Sequence, residues 1–182
     1  MKESARSVYV LGAENGLVLG PVLTLAALLV GATTYNALMF VPAVIALIAV
    51  PAVAYMQLRR TMATQPSLAT FSALWLQGIC AFFFGGAIMA ALCYAAMRWI
   101  WPGFIIDQVQ TVIEIYGAVN DPEAQDIART LQRLMDSHSL PSAIDIALEL
   151  LYVAVFTGSL LSMLLSLIIR KTRRIKPPQF KQ

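Results

Sequence analysis

The chain has 182 residues, of which 59% are hydrophobic and only 13% are charged. Soluble domains contain about 25% charged residues, so this composition excludes an ordinary soluble domain and indicates a polytopic membrane protein. The net charge of +3 comes from basic residues at the ends of apolar runs, which argues against a nucleic-acid partner. The chain is also too short for the two inverted halves of most large transporters.

Four apolar segments are long enough to span a membrane, which takes about 20 helical residues. They predict one all-α membrane domain over residues 1–182. The predicted spans cover about residues 8–30, 37–58, 71–97 and 142–169, with an outer amphipathic helical segment at about 104–136 and a basic cytoplasmic tail at 170–182. Val30 and Ala32 have the spacing of a signal-peptidase site, but Glu14 and Pro21 interrupt the apolar core, so we expect the first span to be retained.

The first span contains a glycine ladder, Gly12, Gly16 and Gly20, with Glu14 between two of the glycines. Residues four apart share one face of a helix, so the ladder predicts close packing, and Glu14 points to nearly the opposite side. A charge within a membrane costs a few kcal/mol unless it faces protein or water. The first span is therefore predicted to be packed on two sides. The four-helix bundle supplies one neighbour, and we expect the glycine face to dock another membrane protein or a second copy.

Three other polar residues are predicted to lie at the depth of Glu14. Asn15 adjoins it, Gln77 follows the start of the third span by six residues, and Ser162 lies in the inner half of the fourth span. These four residues are predicted to form one intramembrane polar cluster. The cluster serves either packing or proton- or cation-coupled transport.

The distribution of basic residues predicts the orientation. If both termini are cytoplasmic, ten of the 13 lysines and arginines lie inside, and only Arg98, Arg129 and Arg133 lie outside. The ten inner residues are Lys2, Arg6, Arg59, Arg60, Arg170, Lys171, Arg173, Arg174, Lys176 and Lys181. On this orientation, Trp99 and Trp101 belong to an outer aromatic belt.

Two carboxylates, Asp145 and Glu149, lie one helical turn apart in the outer half of the fourth span. Arg98, at the outer end of the third span, is the predicted counter-charge for Asp145. These residues predict an outer-face ion pair, with recognition of a cationic or sugar-phosphate group as the alternative. They lie about 15 Å from the depth of Glu14, so the acids do not form one site.

The outer segment between the third and fourth spans is predicted to form two amphipathic helices. Asp121 and Pro122 have the pattern of an N-cap and a first helical residue. The apolar residues that recur at intervals of three and four are Ile105, Val109, Val112, Tyr116 and Val119, then Ile127, Leu131 and Leu134. The segment is predicted to cap the bundle or lie on the outer membrane surface, and a binding lid is the alternative.

No motif in the sequence predicts catalysis. Cys80 and Cys93 would be about 20 Å apart on one helix and cannot form a bridge, and His138 is predicted to be a solvated loop residue. Walker loops, nucleophile elbows and metal-ligand spacings are missing from the sequence, so we expect no catalytic residue, no cofactor and no metal.

The order of these features resembles a bacterial family of four-span membrane proteins catalogued as a domain of unknown function, DUF4199-like and common in Bacteroidetes-type genomes. The similarity covers most of residues 8–174. It consists of the glycine-rich first span, Phe71 followed by Gly78 in the third span, an aromatic exit from Trp101 to Phe104, and the basic end of the last span. The resemblance implies no catalytic residues. It implies an accessory role beside a glycosyltransferase that uses a polyprenyl-phosphate lipid in envelope glycan synthesis.

We therefore expect a non-catalytic protein of the bacterial inner (cytoplasmic) membrane, acting as an accessory or scaffold subunit. Its expected partners are membrane lipid and either another membrane protein or a second copy. A small carrier or lipid transporter that uses intramembrane carboxylates is the alternative. An intramembrane enzyme is disfavoured because the sequence offers no nucleophile and base pair.

Overall fold

A computed structural model describes residues 7–65, 68, 70–137 and 139–175, with the backbone alone for 172–175. The described chain consists of α1 (Val8–Ala32), α2 (Phe40–Thr64), α3 (Phe71–Ala95), α4 (Phe104–Ala118), α5 (Pro122–Asp136) and α6 (Ala143–Ile175). A 3₁₀ turn, Ala37–Met39, precedes α2, and a π-helical turn, Ala96–Ile100, extends α3. No strand occurs in these residues, so the predicted all-α class is confirmed.

Four helices, α1, α2, α3 and α6, are long and apolar enough to cross a membrane, which confirms the predicted four-span fold. The two remaining helices, α4 and α5, have 15 residues each and are too short to span. Large apolar side chains such as Leu17, Ile45 and Phe156 are exposed on the long helices. This surface contacts membrane lipid, where an exposed apolar side chain carries no cost.

Helix starts follow the local chemistry of the sequence. The side chains of Ser7, Thr70 and Asp121 accept hydrogen bonds from backbone N–H groups in the first turns of α1, α3 and α5. The helix start predicted at Asp121 is confirmed. The helix ends differ from the predicted spans, because α2 continues past Leu58 to Thr64 and α6 continues through Arg170 to Ile175. Basic residues end an apolar span, but they do not end a helix.

The α3 helix lies at the centre of the bundle, between α1 and α6. It runs parallel to α1 and antiparallel to α6, as the facing pairs show: Gly12 with Cys80, Gly16 with Phe84, Gly20 with Ile88, Gly78 with Ser162, and Gly158 with Phe82. The α2 helix packs mainly on α1 and contacts α6 much less extensively. The bundle is therefore tight between α1, α3 and α6, and looser between α2 and α6.

The α4 and α5 helices pack against each other as a hairpin at the end of the bundle where the α1–α2 turn also lies. Phe104 and Ile105 pack on the core of the bundle. In α5 the buried residues are Ala124 and Ala128, whereas the apolar stripe from Ile127 to Leu134 is largely exposed. The two helices therefore meet through small side chains, and the exposed stripe leaves the prediction of a segment on the outer membrane surface open.

Candidate functional site

The glycine face of α1 is covered by α3 of the same chain. A Cβ atom on Gly16 would lie 2.6 Å from the Cβ of Phe84, and one on Gly20 would lie 2.9 Å from the side chain of Ile88. Gly12 meets Cys80 in the same way. The prediction that this face docks a partner or a second copy is wrong, since small residues on one helix allow close approach within a bundle as well as between chains.

The predicted intramembrane cluster is divided between different surroundings. Glu14 lies on the exposed face of α1, opposite the glycines, whereas Gln77 and Ser162 are fully buried around α3. The Gln77 amide donates to the hydroxyl of Thr61 at 2.8 Å. Ser162 packs against Gly78, and its Oγ has no hydrogen-bond partner among the described residues. Glu14 therefore lies apart from Gln77 and Ser162, and the four residues do not form one cluster.

A different polar chain links α1, α2 and α3. The Gln57 amide donates to the carbonyl oxygen of Asn15 at 3.0 Å. Thr61 donates to the Gln57 carbonyl oxygen at 3.2 Å and accepts from Gln77. The sequence contained a signal for this chain, because Gln57 and Thr61 are four residues apart and share a face of α2. The predicted end of the second span at residue 58 excluded Thr61.

The outer-face ion pair that was predicted between Arg98 and Asp145 does not form. The Asp145 carboxylate accepts from the backbone N–H of Ser142 at 2.9 Å and from its hydroxyl at 2.6 Å. Asp145 thereby closes a capping box at the start of α6, a local arrangement that needs no counter-charge. Arg98 and Glu149 are both exposed.

The bundle contains an apolar cavity in the half nearer α4 and α5. Its volume is about 570 Å³, and α1, α2, α3 and α6 all contribute to its wall. Representative lining residues are Ala26, Val50, Met89 and Ala154, and no lining residue carries a charge. Small side chains facing one another across the bundle leave this space unfilled.

Exposed lining residues on α2 and α6 indicate that the cavity opens to the side of the bundle between these two helices. Leu47 of α2 and Val153 of α6 both line it, and 52% and 46% of their respective surfaces are exposed. This is the looser helix pair. Because both helices span the membrane, the opening faces the hydrocarbon region of a bilayer.

A smaller vestibule of about 290 Å³ adjoins the cavity at the α4 end. Tyr35, Trp101 and Phe104 line both spaces, whereas Asp107 lines the vestibule but not the cavity. The π-helical turn after α3 ends at Trp101, whose N–H donates to the Ala96 carbonyl oxygen at 2.9 Å. Such turns redirect a helix end and recur at functional sites.

One hydrogen bond joins the α1–α2 turn to α4 at the vestibule. The Tyr35 hydroxyl donates to Oδ2 of Asp107 at 3.1 Å. Burial raises the pKa of Tyr35 above 10.0, and the hydrogen bond to Asp107 and its negative charge raise it further. The phenol therefore remains protonated and acts as a donor at neutral pH. Beside it, the Thr34 hydroxyl donates to Oε1 of Gln108 at 3.0 Å.

The family model described as a protein of unknown function, DUF4199, matches residues 15–171. The chain belongs to the DUF4199 family. No curated protein and no solved structure matches it significantly. The DUF4199 match includes the residues of the cavity and the vestibule and begins after Gly12 and Glu14.

Metal ligation has no candidate site in the part of this DUF4199 chain that the structure describes, where no three His, Cys, Asp or Glu side chains are grouped suitably. His138, which was predicted to be a solvated loop residue, lies outside the described residues. The residues around the cavity were not identified from the sequence. They are common apolar residues from different helices, and only the packing brings them together.

Proposed function

We propose that this DUF4199 protein is a non-catalytic membrane protein that holds the hydrocarbon chain of a membrane lipid inside its bundle. The observation that carries the proposal is the apolar cavity of about 570 Å³, open between α2 and α6. Its volume lies in the range of about 300–1,000 Å³ that is typical of small-molecule sites. The cavity adjoins bilayer lipid, so a lipid chain is the most abundant apolar molecule available to it.

The lining favours hydrocarbon over water or ions. An apolar cavity offers water no hydrogen-bond partners, whereas each carbon of a bound chain gains dispersion contacts with the wall. The predicted carriers of transport chemistry, Glu14, Asp145 and Glu149, are not among the lining residues. The geometry therefore supports lipid binding more than transport coupled to intramembrane carboxylates.

Lipid binding without chemistry is compatible with an accessory subunit. An accessory role beside a glycosyltransferase is supported only by the four-span fold of the family, because the Asp107 carboxylate at the vestibule disfavours a polyprenyl-phosphate as the lipid that is held there. We further propose a location in the bacterial inner membrane with both termini cytoplasmic. The support for this orientation is the ten-to-three distribution of basic residues.

A cavity-filling substitution tests the lipid-binding function. Ala26 lines the cavity and is 3% exposed, so Ala26→Phe should project a ring into the space. Ala91 of α3 is exposed and does not line it, so Ala91→Phe is the matched control. Native mass spectrometry in mild detergent should detect lipid bound to the wild type and to Ala91→Phe, with occupancy strongly reduced in Ala26→Phe.

Two results would contradict the proposal. One is a wild-type protein that carries no lipid after reconstitution into bilayers and gentle extraction. The other is unchanged lipid occupancy in Ala26→Phe when its thermal unfolding shows a folded protein. The unfolding measurement is needed because overfilling a core typically destabilises the folded protein by about 1–3 kcal/mol.

A scaffold for another membrane protein is the second candidate function. It is favoured by the position of Glu14 on the surface of α1, six residues from the helix start, because a surface carboxylate on a membrane helix offers another protein a polar contact in addition to its contacts within this chain. A mild-detergent pull-down should then recover a stoichiometric membrane protein. Glu14→Lys should release that protein, whereas Glu114→Lys on α4 should retain it. A bare monomer in the wild-type sample would contradict this candidate.

A further inference from the structure

We propose that the lipid held by this protein carries an ammonium head group, which binds in the vestibule beside Asp107. The inference deepens the proposed lipid-binding function and depends on it. Head group and chain have adjoining sites, because the vestibule and the cavity share Tyr35, Trp101 and Phe104 as walls. A lipid whose chain lies in the cavity therefore has its polar end at the vestibule.

The negative charge of the vestibule determines which head-group charge it attracts. Its lining residues are Tyr35, Ile100, Trp101, Pro102, Gly103, Phe104 and Asp107, and Asp107 is the charged residue among them. A carboxylate attracts an ammonium group and repels the phosphate of a head group that has no cation of its own. Near a membrane surface the attraction is stronger than in bulk water, because the local dielectric is lower.

The carboxylate is held in place and left accessible. The Tyr35 hydroxyl donates to one oxygen, Oδ2, and thereby orients the group from the side of the α1–α2 turn. Gly103 lies beside the carboxylate, where an added Cβ would come within 3.6 Å of Oδ2 and 3.7 Å of Oδ1. The lack of a side chain at Gly103 keeps this approach open to a ligand.

Aromatic rings complete the site. Tyr35 and Phe104 lie with their ring centroids 6.4 Å apart at an angle of 47°, and Trp101 forms another wall. Ammonium groups are attracted to the faces of aromatic rings, most strongly to tryptophan, and cages of such rings bind quaternary and primary ammonium ligands. A carboxylate beside aromatic walls favours an ammonium group over an uncharged sugar or a phosphate.

A paired lipid comparison tests the head-group assignment. Delipidated full-length protein in detergent is mixed with phosphatidylethanolamine or with phosphatidylglycerol of the same chains, and binding is measured by native mass spectrometry. We expect binding of phosphatidylethanolamine to be favoured by about fivefold, the size expected of one partly exposed cation–π and ion-pair contact. Asp107→Asn should bind both lipids equally.

Two control variants separate recognition from structure. Tyr116→Phe removes the hydroxyl of an exposed tyrosine of α4 that does not line the vestibule, so it should retain the preference. Glu114→Gln removes a carboxylate further along α4, outside the vestibule, and should also retain it. If Tyr116→Phe or Glu114→Gln abolishes the preference as completely as Asp107→Asn, the preference does not come from the vestibule carboxylate and the assignment is overturned.

The remaining outcomes are also decisive. Equal binding of the two lipids to the wild type overturns the ammonium assignment but leaves the proposed lipid-binding function intact. Binding of neither lipid overturns both. Soluble glycerophosphoethanolamine is the third probe, and if it binds as tightly as the full lipid, a free amine rather than a membrane lipid occupies the vestibule.

Discussion

A Cβ atom added to Gly85 of α3 would lie 3.3 Å from the carbonyl oxygen of Gly16 on α1. The two backbones therefore meet with no side chain between them. The relationship is reciprocal, because a Cβ on Gly16 would lie 3.1 Å from the Gly85 nitrogen. Approach this close is possible only where both helices carry small residues.

Gly16→Ala should destabilise the folded bundle. The new methyl group would lie 2.6 Å from the Cβ of Phe84, well inside the contact distance of about 3.5–4.0 Å between carbon atoms. We expect a cost of about 1–3 kcal/mol, as for other overpacked cores. Unfolding in detergent, followed by tryptophan fluorescence, measures this cost.

Gly117→Ala is the matched control for this change. Gly117 lies in α4, and an added Cβ would have no atom within 4 Å. Alanine in a helix interior is favoured over glycine by about 0.5–1 kcal/mol, so this variant should be slightly more stable than the wild type. Equal effects of the two substitutions would show that packing against α3 is unimportant. Association measured by native mass spectrometry should be unchanged in both variants.

The buried hydrogen bond between Gln77 and Thr61 should give a measurable coupling. A double-mutant cycle with Gln77→Leu and Thr61→Val should yield about 0.6 kcal/mol, and at most about 1.7 kcal/mol, as found for such bonds within membranes. Thr24→Val serves as the control partner, since Thr24 is buried but donates to the Gly20 carbonyl oxygen of its own helix. A cycle between Gln77 and Thr24 should be additive. Equal coupling in both cycles would exclude a specific α2–α3 bond.

Some features could be predicted because they depend on local sequence. Span length determines the four long helices, and the Asp121 cap requires only residues near it in the chain. The opposite directions of Gly16 and Glu14 follow from the helical period. The helix that packs against Gly16 could not be predicted, because a glycine face allows close packing of a helix from the same chain as readily as one from another chain.

The candidate site depends on register between helices, which the sequence pattern does not specify. Ala26, Met89 and Ala154 line the cavity from three helices, and each is an ordinary core residue by itself. Asp107 lies between apolar residues of the outer segment, and its position in the sequence alone indicates no more than a polar side of that helix. Its contact with Tyr35 crosses 72 positions of the chain and depends on how the π-helical turn directs the chain into α4.

Ser142→Ala should destabilise the start of α6. Its hydroxyl donates to the Asp145 carboxylate at 2.6 Å and accepts from the Asp145 N–H at 3.4 Å, and loss of an N-cap typically costs about 0.5–2 kcal/mol. A double-mutant cycle should couple Ser142 to Asp145, whereas Arg98→Gln should be additive with Asp145→Asn. Ser139→Ala, in the preceding loop, should have little effect. If the coupling free energy between Arg98 and Asp145 were as large as that between Ser142 and Asp145, the predicted ion pair would be correct after all.

The Tyr35–Asp107 hydrogen bond predicts a pH dependence confined to alkaline conditions. The pKa of Tyr35 is raised above 10.0 in the folded protein, so its stabilisation is fully present below the unfolded value and is lost as pH rises through the folded value. The melting temperature of the wild type should therefore exceed that of Tyr35→Phe by a constant amount near neutral pH, and this difference should disappear above about pH 10. Tyr116→Phe, which alters an exposed tyrosine of α4, should show no such convergence. A difference that stays constant through alkaline pH would contradict the assignment of the pH dependence to the phenol.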